Sequence, residues 1–214
     1  MLVTLPEIQL LVSFELRGMR CLHVGACELE ELPGYTKAGI VDIVWIEARP
    51  AAVHDMRAKH PDQTILQACV SNVTGKHVLF RETINDSNDH QQSSMLPIHA
   101  GNMLRACPSL RITKSYHLQS WRIDDLLATQ NINPEFQFLN VDVQGAELLA
   151  LQGISDAMWQ TIKIVYVEFN AVEYYKGSPK PEQLHAFLVS KGFARKLTKW
   201  CGTTFGDSVY ARPS

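Results

Sequence analysis

Two carboxylates and an amide stand where two apolar runs stop. The run LNVDVQGAEL, residues 139–148, begins as a buried strand and turns on a glycine soon after Asp142. The run IVYVEFN, residues 164–170, carries Glu168 and Asn170 near its end. Residues two apart on a strand share a face, so Glu168 and Asn170 point the same way. If the two strands are neighbours, Asp142, Glu168 and Asn170 form an oxygen-rich cluster at adjoining strand tips. Such a set suits catalysis by a general base that takes a proton from a hydroxyl. It equally suits a hard divalent metal ion such as Mg²⁺. The plainer alternative is that Glu168 pairs with a lysine and Asn170 shapes a turn.

A second set lies in HVGACELEE, residues 23–31. Gly25 and Ala26 follow a strand and precede a helix, a turn tight enough for a ligand to approach the backbone. About twenty residues further on, the spacing of a carboxylate that accepts from ribose hydroxyls, stands Glu47. Dinucleotides and S-adenosylmethionine both use this arrangement. A pyrophosphate wants G-x-G-x-x-G, whereas Ala26, Cys27, Glu28, Leu29 and Glu30 follow Gly25 here. Carboxylates crowding the turn repel phosphates and tolerate a sulfonium that also bears an ammonium group. S-adenosylmethionine is therefore favoured over NAD. His23 sits in the strand as a ligand contact or as a histidine bonded to backbone. Glu30 and Glu31 suit the first turn of a helix, and one of them suits the cofactor's ammonium. Ala68, Cys69 and Val70 end a third strand, where backbone groups face an adenine ring.

The elements that must position these residues alternate between two periods, as in an α/β sheet. Thr4-Leu5-Pro6-Glu7 reads as a helix start within an N-terminal helical segment, 1–18. Strands are expected at Met19–Gly25, Val41–Glu47, Thr64–Val70, Gln137–Val141 and Ile164–Phe169, with Phe193–Thr198 and Ser208–Arg212 as later strands, antiparallel at the end. Helices are expected at Glu28–Ala38, Pro50–His60, Arg122–Thr129, Gly145–Gly153 and Pro181–Lys191. The turn at 72–75 predicts a hairpin onto Lys76–Glu82, and Arg111–Ser115 a short strand. Residues 83–110 are rich in Asn, Ser, His, Gln and Pro and too long for a connector. Loops of that length are usually functional or disordered, so this one is a candidate lid. In open α/β sheets ligands sit beyond the carboxyl ends of the strands, where both sets of residues fall.

The 214 residues, 46% of them hydrophobic, read as one domain with a large core. A net charge of −2 implies no general attraction to nucleic acid or anionic membrane. The five cysteines form no CxxC pair, which argues against a disulfide frame or structural zinc and for a reducing cytoplasm. The first residues do not read as a signal peptide, and no apolar run is long enough to span a membrane.

These stretches together resemble one family, the FkbM-type S-adenosylmethionine-dependent methyltransferases, from about residue 20 to the end. HVGACELEELPGY is similar to a first motif HIGAHxGEExxxY, which gives His23, Gly25, Ala26, Glu30, Glu31 and Tyr35 counterparts. VWIEARPAAV resembles the segment that places Glu47 on the ribose. DHQQSSML resembles the family's serine pair, here Ser93 and Ser94, and SWRIDDLL its "tLDdl". FLNVDVQGAELLALQG resembles the most specific stretch, fiKiDvEGaElevLkG. The resemblance implies a class I Rossmann-like fold with a mostly parallel seven-stranded sheet, helices on both faces and an antiparallel last strand. It implies a cofactor held by His23, Gly25, Ala26, Glu30, Glu47, Ala68, Cys69, Val70, Ser93, Ser94 and Asp142. It also implies O-methylation of a hydroxyl on a small molecule, sugar or natural product. Val143-Gln144-Gly145 stands where amino-group methylating enzymes carry Asn/Asp-Pro-Pro-aromatic. A small-molecule or glycan acceptor is the expected partner, and a homodimer the candidate assembly.

Four departures matter. Leu29 replaces the family's second glycine, where it would narrow the cofactor cleft, and Cys27 replaces a histidine. Asn140 replaces a lysine, and Gln144 a glutamate. They keep open a catalytically weak or inactive domain that retains the fold as a binding scaffold. The other rival, an NAD(P)-dependent oxidoreductase, is disfavoured by the missing glycines.

Overall fold

The computed structural model describes residues 1–213. In chain order its elements are α1 (Leu5–Leu11), β1 (Arg20–Val24), α2 (Leu32–Ala38), β2 (Val41–Glu47), α3 (Pro50–Lys59), β3 (Thr64–Gln67), β4 (Cys69–Val70), β5 (His77–Ile84), α4 (Ala100–Ala106), β6 (Arg111–Trp121), α5 (Ile123–Thr129), β7 (Phe138–Val141), α6 (Glu147–Gln152), α7 (Asp156–Thr161), β8 (Ile164–Asn170), α8 (Pro181–Ser190), β9 (Ala194–Cys201) and β10 (Phe205–Ala211).

Strands buried on both faces read as continuous apolar runs, and β7 and β8 are buried at every position. They lie inside a seven-stranded sheet of order β3-β2-β1-β7-β8-β10-β9. Its first five strands in that order are mutually parallel, and β10 runs antiparallel to both β8 and β9. The expected sheet and its antiparallel last strand are therefore present. The order reverses between β1 and β7, so the chain leaves these neighbours toward opposite edges. A crevice opens beyond their carboxyl ends.

The two-residue period sorts the strand side chains into two layers. Leu22, Val24, Leu139, Val141, Val165 and Val167 pack with α5–α8 residues such as Leu127, Leu151, Trp159 and Leu188. Cys21, Trp45, Phe138, Ile164 and Tyr166 pack with Leu5, Ile8, Tyr35 and Val53 from α1, α2 and α3. The same alternation carries a row of buried polar groups on this second face. His23 pairs in register with Asn140, and Asn140 with Tyr166. All three are buried.

Several sequence expectations change. Residues 28–31 are not helical: Leu29 adopts φ +63°, and α2 begins only at Leu32. The strand expected over 64–70 divides at Ala68. Its tail, β4, leaves the main sheet and pairs in parallel with β6, which pairs antiparallel with β5 in a second, three-stranded sheet. The hairpin partner of residues 77–84 is therefore β6, and β6 is eleven residues long. Its first five residues are all exposed, and burial alternates only from Tyr116 through Leu118 to Ser120. The segment 83–110 also contains α4, and α7 was not expected.

Gly25 has φ +95°, and a Cβ built there would come within 1.7 Å of the Asp142 carbonyl oxygen. The tips of β1 and β7 meet at this point, where the Asp142 amide donates to the Val24 carbonyl at 2.9 Å. Overpacking of this kind costs about 1–3 kcal/mol, and the left-handed backbone adds roughly 1–2 kcal/mol for a non-glycine residue. Gly25→Ala is expected to lower the urea midpoint by the corresponding amount without changing the slope of the transition. An unchanged midpoint would show that the strand tips are not in contact in solution.

Candidate active site

The turn after β1 is closed by its own hydrogen bonds. The Gly25 and Ala26 amides donate to the Ile46 carbonyl at 2.8 and 3.0 Å, and the Leu29 amide to the Ala26 carbonyl at 2.9 Å. The Cys27 amide donates to Glu47 Oε2 at 2.9 Å. Glu47 Oε1 accepts from the Arg49 amide at 2.8 Å and from Arg49 Nε at 3.3 Å. Arg49 Nη2 reaches the Cys27 carbonyl at 3.0 Å, so Arg49 locks the turn to the tip of β2. A carboxylate has about four acceptor sites, so this network fixes Glu47 while leaving Oε2 able to accept again. Burial pushes the Cys27 and Cys69 thiols up to about 12, which makes both poor nucleophiles.

A cleft opens at the switch point between β1 and β7. His23, Gly25, Glu30, Glu47, Ala68, Cys69, Val70, Ser93 and Asp142, all among the residues to which the resemblance gives cofactor contacts, line it. Ala26 and Ser94 do not: Ala26 is packed in the core, and Ser94 Oγ donates to the Gln144 carbonyl at 2.7 Å. Leu29 is also absent from the lining and sits 3% exposed in the α1/α2 layer. Its positive φ turns the side chain under the cleft rather than into it, so the expected narrowing does not occur.

The lining carries Glu30, Glu31, Glu47, Asp142 and Asp207 against Arg49, which is already paired with Glu47. Tyr166 donates to Asp207, and Glu31 accepts from the Met1 ammonium at 3.2 Å. The buried polar row closes the floor. Asn140 Nδ2 donates to the Tyr35 hydroxyl at 2.8 Å, and His23 Nδ1 lies 3.1 Å from the same oxygen. Burial lowers His23 to about 4, so its ring is neutral at ordinary pH. Asn140 Oδ1 is buried with no partner.

Asp142 and Glu168 come together as expected from their strand ends. Gln144 Nε2 bridges them, 2.8 Å from Asp142 Oδ1 and 2.6 Å from Glu168 Oε2. Burial, and then the adjacent Asp142 charge, raises Glu168 well above the ordinary carboxyl range. Burial raises Asp142 as well, but hydrogen bonds from Glu168 and Gln144 oppose that rise, so Glu168 is the carboxyl of the two that favours the proton. Glu168 lies behind Asp142 rather than in the cleft lining. Asn170 is outside both the lining and the ligand cluster, with its Nδ2 buried and unpartnered. Oxygens of Asp142, Glu147 and Glu168 do lie within 4.8 Å of one another. They do not fit a divalent ion, because the Gln144 amide occupies the position between two of them. Glu147 Oε1 already accepts from the Val143 and Gly145 amides at 3.1 and 2.9 Å.

The segment after β5 covers the cleft: His90, Gln91, Ser93 and Met95 line it. Tyr175 packs against Gly145, whose φ is +93° and where a Cβ would come within 2.8 Å of the ring. His99 caps α4 by accepting from the Asn102 amide, and His117 is exposed on β6, so neither reaches the cleft. Sequence reasoning missed Arg49 and Asp207, and it singled out Gln144 as a departure from the family's motif without its bridging role. Arg49 had one local signal, a cation two residues past a strand-end carboxylate. The roles of Gln144 and Asp207 arise only from tertiary neighbours.

Strand order, crevice and acidic strand tips together define a class I Rossmann-like methyltransferase fold. The sequence profile of the Methyltransferase FkbM domain matches residues 23–195, and the chain belongs to this family of S-adenosylmethionine-dependent methyltransferases. Among solved structures it is similar to the methyltransferase FkbM from Methylobacillus flagellatus KT, with a TM-score of 0.57, 16% identity, and 91% of this chain against 43% of that one covered. The chain thus spans less than half the length of that protein. It is also similar to magnesium protoporphyrin IX methyltransferase from Synechocystis PCC 6803 with bound S-adenosylmethionine, with a TM-score of 0.46, 11% identity, and 92% and 72% of the two chains covered. No curated protein matches it in sequence. Among the described residues no helix is long and apolar enough to cross a membrane.

Burial, and then the Asp142 charge, lifts Glu147 to about 7. A carboxyl raised in the folded state stays protonated while the unfolded chain, at about 4.3, has ionised. The stability it contributes is present below the unfolded value and lost as pH rises through the folded one. Glu147→Gln keeps the acceptor and is expected to flatten that fall, read as urea midpoints at about pH 5 and about pH 8. Glu147→Ala leaves two buried amides unpaired and is expected to cost about 1–3 kcal/mol at both.

Proposed function

We propose that the protein transfers the methyl group of S-adenosylmethionine to a hydroxyl on a small molecule or glycan, with Asp142 as the base. One observation carries this reading: Asp142 lines the cleft floor, and Gln144 bridges it to Glu168, the carboxyl of the pair that favours the proton. Deprotonating an alcohol needs a base within hydrogen-bond reach, and Asp142 is the member of the pair placed to accept.

The residues present fit the cofactor. Glu47, fixed by Cys27 and Arg49, offers its remaining acceptor capacity to ribose hydroxyls. Ala68, Cys69 and Val70, with Phe80 and Met95, supply an apolar wall for an adenine. Glu31 and the unpartnered Asn140 Oδ1 suit the ammonium of the methionyl tail. When bound, the cofactor supplies an electrophilic methyl group on a sulfonium centre. The lining carboxylates favour that cation electrostatically. Asp142 orients the acceptor hydroxyl and takes its proton, while the segment from His90 to Met95 excludes water from the aligned groups.

Both rivals lose support. A dinucleotide pyrophosphate needs free amides at the turn, and those of Gly25, Ala26, Cys27 and Leu29 are engaged within the protein. The scaffold reading leaned on Leu29, which is packed away from the cleft.

Calorimetry tests the cofactor: S-adenosylmethionine and S-adenosylhomocysteine are expected to bind and NAD(H) is not. Glu47→Gln should weaken both cofactor forms alike, by roughly 10–100-fold, because the ribose is common to them. Labelled-methyl transfer to a panel of sugars, phenols and aliphatic alcohols tests the reaction. Asp142→Asn is expected to lower it by about 10²–10⁴-fold, far more than it lowers S-adenosylhomocysteine affinity. Absence of cofactor binding sinks the proposal, and transfer that survives Asp142→Asn removes the assigned base.

A further inference from the structure

Gln144 lies at the centre of a network that reaches from the cleft floor to the cleft roof. Its backbone adopts φ +53°, which aims the side chain back toward the strand tips. The two hydrogens of its amide go to two different carboxyl groups, on Asp142 and Glu168. Its Oε1 accepts from the Tyr175 hydroxyl at 2.9 Å. That hydroxyl also lies 3.1 Å from the Gln92 carbonyl, in the segment over the cleft. On the other side, the backbone carbonyl of Gln144 accepts from Ser94 Oγ. The roof is held further by the Lys176 amide on the Pro97 carbonyl at 2.7 Å and the His99 amide on the Tyr174 carbonyl at 2.8 Å.

Only an amide satisfies this arrangement. Even with a proton between them, Asp142 and Glu168 keep acceptor oxygens that need a donor from outside the pair, and the Gln144 amide reaches one on each. A glutamate of the same shape would set a third oxygen against them, and a leucine would leave both without a donor.

We propose that Gln144 is a positioning residue that clamps Asp142 and Glu168 into one pair and ties that pair, through Tyr175, to the segment covering the cleft. The inference rests on the reading of Asp142 as the base. Opening the roof must loosen the Tyr175 and Ser94 contacts and with them the clamp. The base is therefore aligned only while the cleft is covered, so closure over the ligands and arming of the site are one event.

The test uses the intact protein and no cofactor, so its outcome is separate from that of the calorimetry above. Protonated Glu168 gives an infrared carbonyl stretch, assigned by its disappearance in Glu168→Gln. Tyr175→Phe keeps the ring packed on Gly145 and removes only the hydroxyl, so the fold is retained. This variant is expected to shift the Glu168 band although Tyr175 makes no bond to Glu168, and to raise amide hydrogen exchange over residues 90–99 about tenfold. Gln144→Leu and Gln144→Glu are expected to produce the same rise in exchange. A role in filling space alone would be rescued by the isosteric glutamate. The double variant of Gln144→Leu with Tyr175→Phe should exchange no faster than the stronger single one, since both break one linkage. An unmoved Glu168 band in Tyr175→Phe, rescue by glutamate, or multiplying effects in the double variant would each overturn the proposal.

Discussion

The approach of Gly25 to the Asp142 carbonyl is the contact on which the cleft depends. Parallel strands pair along their length, but their tips usually splay as the chain turns away. Here the missing side chain lets the turn after β1 lie directly on the tip of β7. That brings Asp142 from one half of the sheet beside the turn that is hydrogen-bonded to Glu47 at the tip of β2 in the other. Because the order of strands reverses at this place, nothing from the main sheet roofs the space above. The crevice is a product of connectivity, and the glycine decides how close its two walls come.

Electrostatics then determines what the crevice accepts. The first wall uses its amides internally and presents carboxylates, and its one buried guanidinium is held between Glu47 and the Cys27 carbonyl. A buried cation–carboxylate pair is a weak source of net stability, but removing either partner is costly. Its role here is geometric, since it fixes Glu47. The remaining carboxylates leave a local negative potential, which under the proposed reaction attracts a sulfonium and favours release of the thioether that remains after transfer.

Much of this was legible in the sequence, and the limits have physical causes. The β-prone, nearly continuous apolar runs VDIVWIE and IVYVEFN marked the buried strands, and strand ends on Glu47, Asp142 and Glu168 marked the crevice. Lining positions read from local pattern were found where the neighbouring strand imposes nothing further. Ala26 and Ser94 resemble motif residues yet support the wall from behind, because a motif gives chain position and not the direction of a side chain. Asn170 shares a face with Glu168, as the two-residue period requires, but lies too far along the strand to join the pair. The second sheet escaped notice because β6 is exposed over its first five residues and pairs with β4 and β5 only through tertiary structure. The bridging role of Gln144 depends on Tyr175, thirty-one residues away, and no local pattern encodes that meeting.

The departures from the family's motifs acquire a common sense in three dimensions. Leu29 occupies a left-handed position that a glycine would hold more cheaply, at a cost of roughly 1–2 kcal/mol, yet its side chain is buried in the α1/α2 layer. Full burial of a leucine is worth roughly 1.5–3 kcal/mol, which offsets the strain. Asn140 and Gln144 stand where the resemblance has a lysine and a glutamate, so a positive and a negative charge are absent together from the floor. The first amide bonds Tyr35, and the second bonds the carboxyl pair. Each amide thus meets a hydrogen-bonding need of its neighbours without adding a charge, one as donor to a hydroxyl and the other as donor to two carboxyl groups.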